Sequence, residues 1–242
     1  MHYRLFIEYD GTEFHGWQVQ PGARTVQGEL EAAIARLFGA PARLSVAGRT
    51  DAGVHAAGQV ACFHAARVIA PEVVRRALDA LTAVDLVVRA ADVVADDFDP
   101  RRAARRRRYV YRIWHRRASS PCWRRFAWHI PYALDVEAMA RAAAHLVGEH
   151  DFSSFRAAGC DAAHPVRRVL SSQMRTTGAL LRYEVAATAF LRHMVRNITG
   201  TLVEIGAGRR AADLRPLLAA RDRTQAGATA PAHGLCLEEV EY

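Results

Sequence analysis

The densest group of glycine and polar residues in this chain reads Ala47-Gly48-Arg49-Thr50-Asp51-Ala52-Gly53-Val54-His55. Apolar patterning predicts short strands on either side of it, at residues 44–47 and 59–63. Glycines in such a loop permit tight turns and the close approach of a ligand. Arg49 precedes Asp51 by two residues, and a neighbouring cation would keep a desolvated carboxylate ionised. From spacing alone, the pair is also typical of a turn aspartate beside a surface arginine.

The first half of the chain is predicted to alternate strands with helices. Apolar and polar residues alternate over residues 3–9, which indicates a half-buried strand that ends at the turn Asp10-Gly11. Thr25 is suited to cap a helix whose apolar positions recur at helical spacing until Gly39 ends it. A second helix is predicted from Pro71, and a further strand over residues 86–94.

The second half is predicted to start after an abrupt change of charge. Acidic residues 96–99 give way to arginines after Pro100, which predicts one lobe at residues 1–104 and a second lobe at residues 105–242. The elements predicted in the second lobe are a strand at residues 109–113, a helix capped by Asp135 and ended by Gly148, a hairpin arm at residues 181–185, helices at residues 190–206 and 211–220, and a last strand with a bulge near Glu238-Glu239.

The order of elements predicts an α+β fold. Short connections and hairpin-like pairs favour two similar lobes with mixed, mainly antiparallel sheets that join into one central sheet, with helices on one face. The active-site cleft is then expected between the lobes. No exact sequence repeat is present, so the duplication is inferred from element order alone.

The composition favours a folded protein with an anionic partner. The chain has 242 residues, 51% of them hydrophobic, which is enough for a sizeable core. Its formal net charge is +8, and most of the basic residues are arginines, which pair with phosphate and stack on bases. The charge at residues 1–8 and the lack of a long uncharged stretch predict a soluble, cytoplasmic protein rather than a secreted or membrane protein.

Motifs for several other chemistries are missing from the sequence. The four cysteines, at positions 62, 122, 160 and 236, form no Cys-x-x-Cys, so neither a zinc knuckle nor a disulfide framework is predicted. No Gly-Lys-Ser or Gly-Lys-Thr phosphate loop appears, which argues against ATP use. We therefore expect no metal and no organic cofactor.

The segment 48–55 resembles the active-site signature of the TruA family of tRNA pseudouridine synthases. The similarity extends in order over essentially the whole chain. It includes the segments Glu8-Tyr9-Asp10-Gly11, Gly16-Trp17-Gln18, Thr25-Val26-Gln27, Arg107-Arg108-Tyr109-Val110-Tyr111, Asp151-Phe152-Ser153-Ser154-Phe155-Arg156, Phe190-Leu191-Arg192-His193-Met194-Val195-Arg196-Asn197-Ile198, Asp222-Arg223-Thr224, Ala230-Pro231 and Gly234-Leu235.

The resemblance implies roles for four side chains. Asp51 would be the catalytic carboxylate and Arg196 its buried partner. Tyr109 would stack on the displaced uracil, and Leu235 would form an apolar wall against it. Without the resemblance, Tyr109 and Leu235 are typical strand residues of a core, and Arg196 is typical of a surface arginine on an amphipathic helix.

Arginines supply the candidate RNA contacts. The run from Arg101 to Arg108 leads into Tyr109 and would place positive charge beside the proposed pocket, although such runs are often solvated segments. Arg49 is assigned to substrate binding. The predicted RNA-binding residues are Arg105, Arg106, Arg107, Arg108, Arg24, Arg192 and His193; Arg167 and Arg168 are weaker candidates.

The sequence therefore predicts an isomerase that converts uridine to pseudouridine in tRNA. The resemblance implies the anticodon stem-loop, positions 38, 39 and 40, as the target, contact with the tRNA elbow, and a homodimer bridged by one tRNA. Two alternatives stay open. One is a non-catalytic RNA-binding protein built from two recognition-motif-like sheets, and the other is a pseudouridine synthase that acts on ribosomal or another RNA.

Overall fold

The computed structural model describes every residue from Met1 to Tyr242 and confirms the α+β class. Its five α-helices are α1 (Val26–Phe38), α2 (Pro71–Leu81), α3 (Val136–Ala144), α4 (Met194–Gly206) and α5 (Arg215–Ala220). Its ten strands are β1 (His2–Tyr9), β2 (Ser45–Val46), β3 (His55–His64), β4 (Leu86–Val94), β5 (Arg106–Trp114), β6 (Trp128–His129), β7 (Gly148–Asp151), β8 (Val166–Thr177), β9 (Leu180–Ala187) and β10 (Leu235–Glu241). None of the helices combines the length and apolarity needed to cross a membrane.

The chain divides into two compact units. The first unit comprises Met1–Arg105 with Cys236–Tyr242, and the second comprises Arg106–Leu235. The division after Arg105 lies one residue from the sequence-based boundary. The C-terminal strand departs from that prediction because it belongs to the first unit, where Cys236 and Leu237 pair in parallel with His55 and Ala56 of β3. A linear reading of the chain assigns these last residues to the second lobe.

A mixed sheet forms the core of the first unit. Strand β1 lies between β4 and β3 and is antiparallel to both, and β2 adds to β3 antiparallel. Alternate residues of β1, such as Leu5 and Ile7, are buried, as their period of two predicts. Helix α2 packs on β4 and α1 packs against α2. As predicted, Thr25 caps α1 through a bond from Gly28 N at 3.3 Å, and Gly39 ends it in the left-handed region.

The strands of the second unit follow the order β5-β9-β8-β7 within the ten-stranded sheet, each antiparallel to its neighbour, and the short β6 lies parallel to β5. Strands β8 and β9 form the predicted hairpin. Helix α3 packs on β8 and on α4, and almost every residue of α4 is buried. The core of this unit therefore lies between its sheet and these two helices.

Several element limits differ from the predictions for physical reasons. Helix α3 ends at Ala144, because Gly148, with a φ of +115°, instead begins strand β7. Helix α4 begins at Met194 rather than at residue 190, because His193 has a φ of +59° and interrupts helical geometry. Helix α5 begins at Arg215, since the following proline lacks the N–H that a longer helix would need.

Strand β5 also begins earlier than predicted. It starts at Arg106, so half of the arginine run forms part of the sheet rather than a linker. Alternation then sends Arg107 toward the same face as Tyr109, and Arg107 is buried. Arg106 and Arg108 lie on the other face, and both are half-buried.

Candidate active site

Asp51 lies in the loop between β2 and β3, at the start of a tight turn. The backbone N–H of Val54 donates to the carbonyl of Asp51 at 3.1 Å, and Gly53 at the third turn position has a φ of +76°. A glycine with positive φ at this position is typical of a type II turn. The Asp51 side chain is half-buried, whereas Arg49 is exposed.

A buried hydrogen-bond network holds the residues just before Asp51. Thr50 Oγ1 lies 2.7 Å from the hydroxyl of Tyr9, and Gln59 Nε2 donates to the same hydroxyl at 3.3 Å and to the carbonyl of Gly48 at 2.8 Å. Tyr9 and Gln59 are almost completely buried. Burial raises the pKa of Tyr9 far above its usual range, so the hydroxyl stays neutral. The network fixes the loop on the side of β1 and β3.

The backbone around Gly16 supports the other side of the loop. Trp17 N donates to the carbonyl of Thr50 at 3.0 Å, and Gly53 N donates to the carbonyl of Phe14 at 3.2 Å. Gly16 has a φ of +88°, and a Cβ there would lie 2.8 Å from the carbonyl oxygen of Thr50. Only glycine therefore permits this approach. The loop is held from two directions before any ligand binds.

His55, the last residue of the signature, joins the loop to the turn after β1. Its Nδ1 accepts a hydrogen bond from Gly11 N at 3.0 Å and lies 3.1 Å from Asp10 Oδ1. The imidazole is buried. These contacts indicate that His55 holds the start of β3 against the turn after β1. Its position in the signature did not predict this structural role.

In the second unit, β5 carries Tyr109 opposite Val185 of β9. Tyr109 is 8% exposed, and its ring makes an edge-to-face contact with Phe190, with ring centres 5.0 Å apart. Phe190 is only half-buried. Tyr109 therefore lies at the edge of the core of this unit, beside an aromatic residue that is itself partly exposed.

Arg196 and Tyr111 fix the segment that leads to Leu235. Arg196 Nε donates to the carbonyl of Ala230 at 2.9 Å, and Ala230 N donates back to the carbonyl of Arg196 at 3.1 Å. The Tyr111 hydroxyl donates to the carbonyl of Pro231 at 2.8 Å, and its ring lies against the next glycine, Gly234. Leu235 follows and is 6% exposed. Arg196 thus contacts the start of the segment from Ala230 to Leu235, and Tyr111 contacts Pro231 and Gly234 within it.

Tyr111 belongs to the strand predicted at residues 109–113, and sequence reasoning missed this bond. Burial raises the pKa of Tyr111, and the nearby positive charge of Arg196 only partly opposes that rise. The hydroxyl therefore stays protonated and can donate to Pro231. A buried tyrosine needs a partner for its hydroxyl, which is the one signal in the sequence that points to such a bond.

Comparison with known proteins identifies the family. The family model described as tRNA pseudouridine synthase matches residues 5–101 and 142–242. The chain belongs to this family. The matched ranges include the whole Asp51 loop and α4, whereas β5 with Tyr109 lies between them.

Curated relatives in the tRNA pseudouridine synthase family match nearly the full chain. A protein named tRNA pseudouridine synthase A from Myxococcus xanthus is 51% identical, over 99% of this chain and 91% of its own length. Proteins of the same name from Moorella thermoacetica and Geotalea uraniireducens are 48% and 44% identical, each over 99% of this chain and 98% of their own lengths. A chain from a Cbf5-Nop10-Gar1 complex aligns with a TM-score of 0.35 and 12% identity, over 83% of this chain and 54% of that chain, too weakly to support an argument.

Two of the predicted RNA-binding arginines in this pseudouridine synthase family member have protein partners. Arg24 pairs through both terminal nitrogens with Asp85 at 2.7 Å and lies 4.1 Å above the ring of Phe14. The pairing with Asp85 raises the pKa of Arg24 above its already high value. Arg107 is 6% exposed and donates to the carbonyl of Thr188 at 2.6 Å. These bonds favour structural roles, and phosphate binding by either residue stays a prediction.

Other candidate RNA contacts are more accessible. Arg105 and Arg192 are exposed, while His193 is half-buried at the start of α4. Arg192 Nη1 donates to the carbonyls of Ala158 and Gly159 at 3.2 and 3.3 Å. No three His, Cys, Asp or Glu side chains come together in a way that could hold a metal ion.

Proposed function

We propose that this chain isomerises uridine to pseudouridine in tRNA, with Asp51 as the catalytic carboxylate. The supporting observation is the half-buried Asp51 in a loop held from two sides by buried hydrogen bonds, in a member of the tRNA pseudouridine synthase family. A carboxylate held in this way is suited to a reaction that needs one group at a defined position. The relatives named tRNA pseudouridine synthase A support tRNA as the substrate.

The reaction breaks the bond between ribose C1′ and uracil N1, turns the base and rejoins it through C5. The proton on C5 passes to solvent and N1 takes up a proton, so the product is an isomer of uridine and no oxidant or reductant is needed. The uridine must leave the stack, which costs about a few kcal/mol, and one carboxylate then labilises the glycosidic bond. Asp51 takes that role whether it attacks the sugar, attacks the base or removes a sugar proton.

Three further residues complete the proposed pocket. Tyr109 stacks on the displaced uracil, Leu235 packs against it, and Arg196 keeps the Asp51 carboxylate ionised. The fixed segment from Ala230 to Leu235 supports these roles, because the bonds of Arg196 and Tyr111 define where Leu235 lies. Arg49, exposed and two residues from Asp51, is proposed to contact the substrate.

We expect uridines at positions 38, 39 and 40 of the anticodon stem-loop to be modified by a cytoplasmic homodimer that contacts the tRNA elbow. The net charge of +8 suits an RNA partner of this size. Transcripts in which each of these uridines is replaced by cytidine would identify the modified positions.

The decisive experiment is tritium release from uridine labelled at C5 in unmodified tRNA, with ribosomal RNA as the control substrate. The wild-type chain is expected to release tritium from tRNA only. Asp51→Asn is expected to abolish release while tRNA affinity stays within about tenfold, because the change removes charge but almost no contact area.

Each alternative gives a different result in this assay. A non-catalytic RNA-binding protein would bind tRNA without releasing tritium. A synthase for another RNA would act on ribosomal RNA and leave tRNA unchanged. Substantial turnover by the Asp51→Asn variant would remove Asp51 from its proposed role.

A further inference from the structure

An open concavity lies in the second unit, and none of its lining residues was assigned to the site above. It is formed by the loop at residues 157–160, by the preceding residues Ser153 and Arg156, and by Arg221, Asp222 and Arg223. Its charged lining is thus three arginines and one aspartate. Arg192 lies at its edge, bonded to the carbonyls of Ala158 and Gly159.

Two of the lining arginines are held in place by neutral oxygens. Arg156 Nη2 donates to the carbonyls of Cys160 and Ala162 at 2.7 and 2.9 Å. Arg223 donates to the side chains of Asn197 and Thr229, both at 3.1 Å. Carbonyl, amide and hydroxyl oxygens fix a guanidinium without cancelling its charge. The two cations are therefore ordered before a ligand arrives, which lowers the entropic cost of binding.

The acidic groups nearby do not balance these charges. Arg221 pairs with Asp151 at 3.1 Å, but its side chain is 68% exposed. Asp222 accepts from the backbone N–H and the hydroxyl of Thr224 at 2.9 and 2.7 Å. With Arg192 included, four arginines stand against three aspartates of the same segments, Asp151, Asp161 and Asp222, so basic residues exceed acidic ones by one.

Backbone strain is concentrated at the same place. Only two residues other than glycine have a positive φ in this chain, His193 at +59° and Arg221 at +52°. His193 follows Arg192, and Arg221 lines the concavity itself. Such conformations are unfavourable for residues other than glycine and cluster at ligand sites, where the surrounding structure maintains them.

We propose that this concavity binds a phosphodiester group of the tRNA backbone, an inference that rests on the function proposed above. Arginines on an open polar surface suit phosphate oxygens, which accept several charge-assisted hydrogen bonds at once. No aromatic side chain lines the concavity, so it offers no platform on which a base would stack. The site therefore adds affinity without reading sequence.

The first test compares the salt dependence of tRNA binding in Arg156→Gln, Arg156→Lys and wild type. Arg156→Gln is expected to reduce affinity about tenfold near 0.1 M salt and to lower the log–log salt slope by about one unit, which corresponds to one phosphate that is no longer bound. Arg156→Lys keeps the charge and should keep the slope. Arg76→Gln, at an exposed position on α2, removes the same charge elsewhere and serves as the matched control.

Thermal melting of each variant checks that the fold is intact. An unchanged slope in Arg156→Gln would overturn the proposal. Equal loss of slope in Arg156→Gln and Arg156→Lys would also overturn it, because the effect would then follow from a loosened loop rather than from charge.

The second test uses the wild-type chain and the thiol of Cys160, which lines the concavity. Burial acts to raise the pKa of this thiol, but hydrogen bonds from Arg192 N, from Ala162 N and from Arg156 outweigh burial and lower it. Cys160 should thus react readily with an alkylating reagent. Bound tRNA is expected to slow its alkylation several-fold, with the exposed Cys122 as the internal reference.

Two outcomes of the labelling test would reject the site. One is unchanged alkylation of Cys160 at saturating tRNA, and the other is protection by inorganic phosphate alone but not by tRNA. The proposed function can fail separately. If wild type neither binds tRNA nor releases tritium, that function fails; if it does both and Cys160 stays reactive, only this inference fails.

Discussion

At the scale of single residues, the hydroxyl of Tyr9 connects strand β1 to the Asp51 loop. It lies between Thr50 Oγ1 and Gln59 Nε2 in a part of the core that excludes water. A buried donor or acceptor that loses its partner costs about 1–3 kcal/mol. Position matters as well, because a shift of the loop by a fraction of an ångström would move the Asp51 carboxylate.

We predict that Tyr9→Phe lowers the free energy of unfolding by about 1–3 kcal/mol and lowers turnover roughly tenfold to a hundredfold, with little change in tRNA affinity. Tyr3→Phe is the matched control, because the buried Tyr3 hydroxyl bonds only to the backbone of Ile69, at 2.7 and 2.8 Å. It should cost similar stability and leave turnover intact. Denaturant unfolding and tritium release measure the two effects, and equal turnover in both variants would contradict a positioning role for Tyr9.

Arg196 supports a second prediction at this scale. Arg196→Met removes the bond to the carbonyl of Ala230 and is expected to cost about 2 kcal/mol of stability and most of the turnover. Because Arg196 is proposed to keep the Asp51 carboxylate ionised, its loss is expected to move the pH–rate profile to higher pH. The double variant with Asp51→Asn should then be less destabilised than the sum of the single variants. Additive stabilities with an unshifted profile would show that the two residues do not interact.

At the scale of elements, strand β5 divides the arginines at positions 105–108 into one that is buried and three that are at least partly exposed. Arg107 faces the core, whereas Arg106 and Arg108 lie on the other face, and Arg105 precedes the strand and is exposed. A run of like charges in sequence is therefore not a uniform charged surface. The strand period of two decides which members can reach an RNA backbone.

We predict that Arg105→Ala with Arg106→Ala weakens tRNA binding and lowers the log–log salt slope by up to about one unit for each phosphate that the variant no longer binds. Turnover at saturating tRNA should change little, because neither residue is assigned to the chemistry. Arg107→Ala is expected to behave differently and to destabilise the fold, since Arg107 is buried and bonded to Thr188. A wild-type salt slope in the double variant would mean that Arg105 and Arg106 bind no phosphate.

At the scale of the whole molecule, burial of neutral acidic groups limits stability at high pH. Burial raises the pKa values of Tyr9, Tyr111 and Tyr183 above their ordinary range, and it raises the pKa of Cys62 to about 12. In the unfolded chain these groups lose protons near their ordinary values of about 9–10, but in the folded chain they stay protonated. Their contribution is therefore full below about pH 9 and decreases as pH rises.

We predict that the free energy of unfolding changes little between about pH 7 and pH 8.5 and falls between about pH 9 and pH 11. Urea unfolding at fixed pH values measures it, and tyrosinate absorbance should appear for the three buried tyrosines only as the chain unfolds. Constant stability up to about pH 11 would contradict the assignment of these side chains as buried and neutral.

The sequence by itself determined the elements whose signals are local. Strand β1 follows from alternation, and α1 follows from helical spacing between Thr25 and Gly39, because both patterns depend on residues within a few positions of each other. The glycines around Asp51 likewise marked a tight loop. The limits of α3 and α4 were less predictable, because apolar spacing continues past the residues whose backbone ends the helix.

Only the tertiary structure decided which distant segments meet. The pairing of β10 with β3, the bond from Tyr9 to Thr50 and the bond from Tyr111 to Pro231 join residues 41 to more than 100 positions apart. Such contacts have no local pattern, because they depend on how the sheets and loops pack rather than on the conformation of either segment. The sequence therefore located Asp51 in its loop, whereas the packing of the folded chain determined what holds that loop in place.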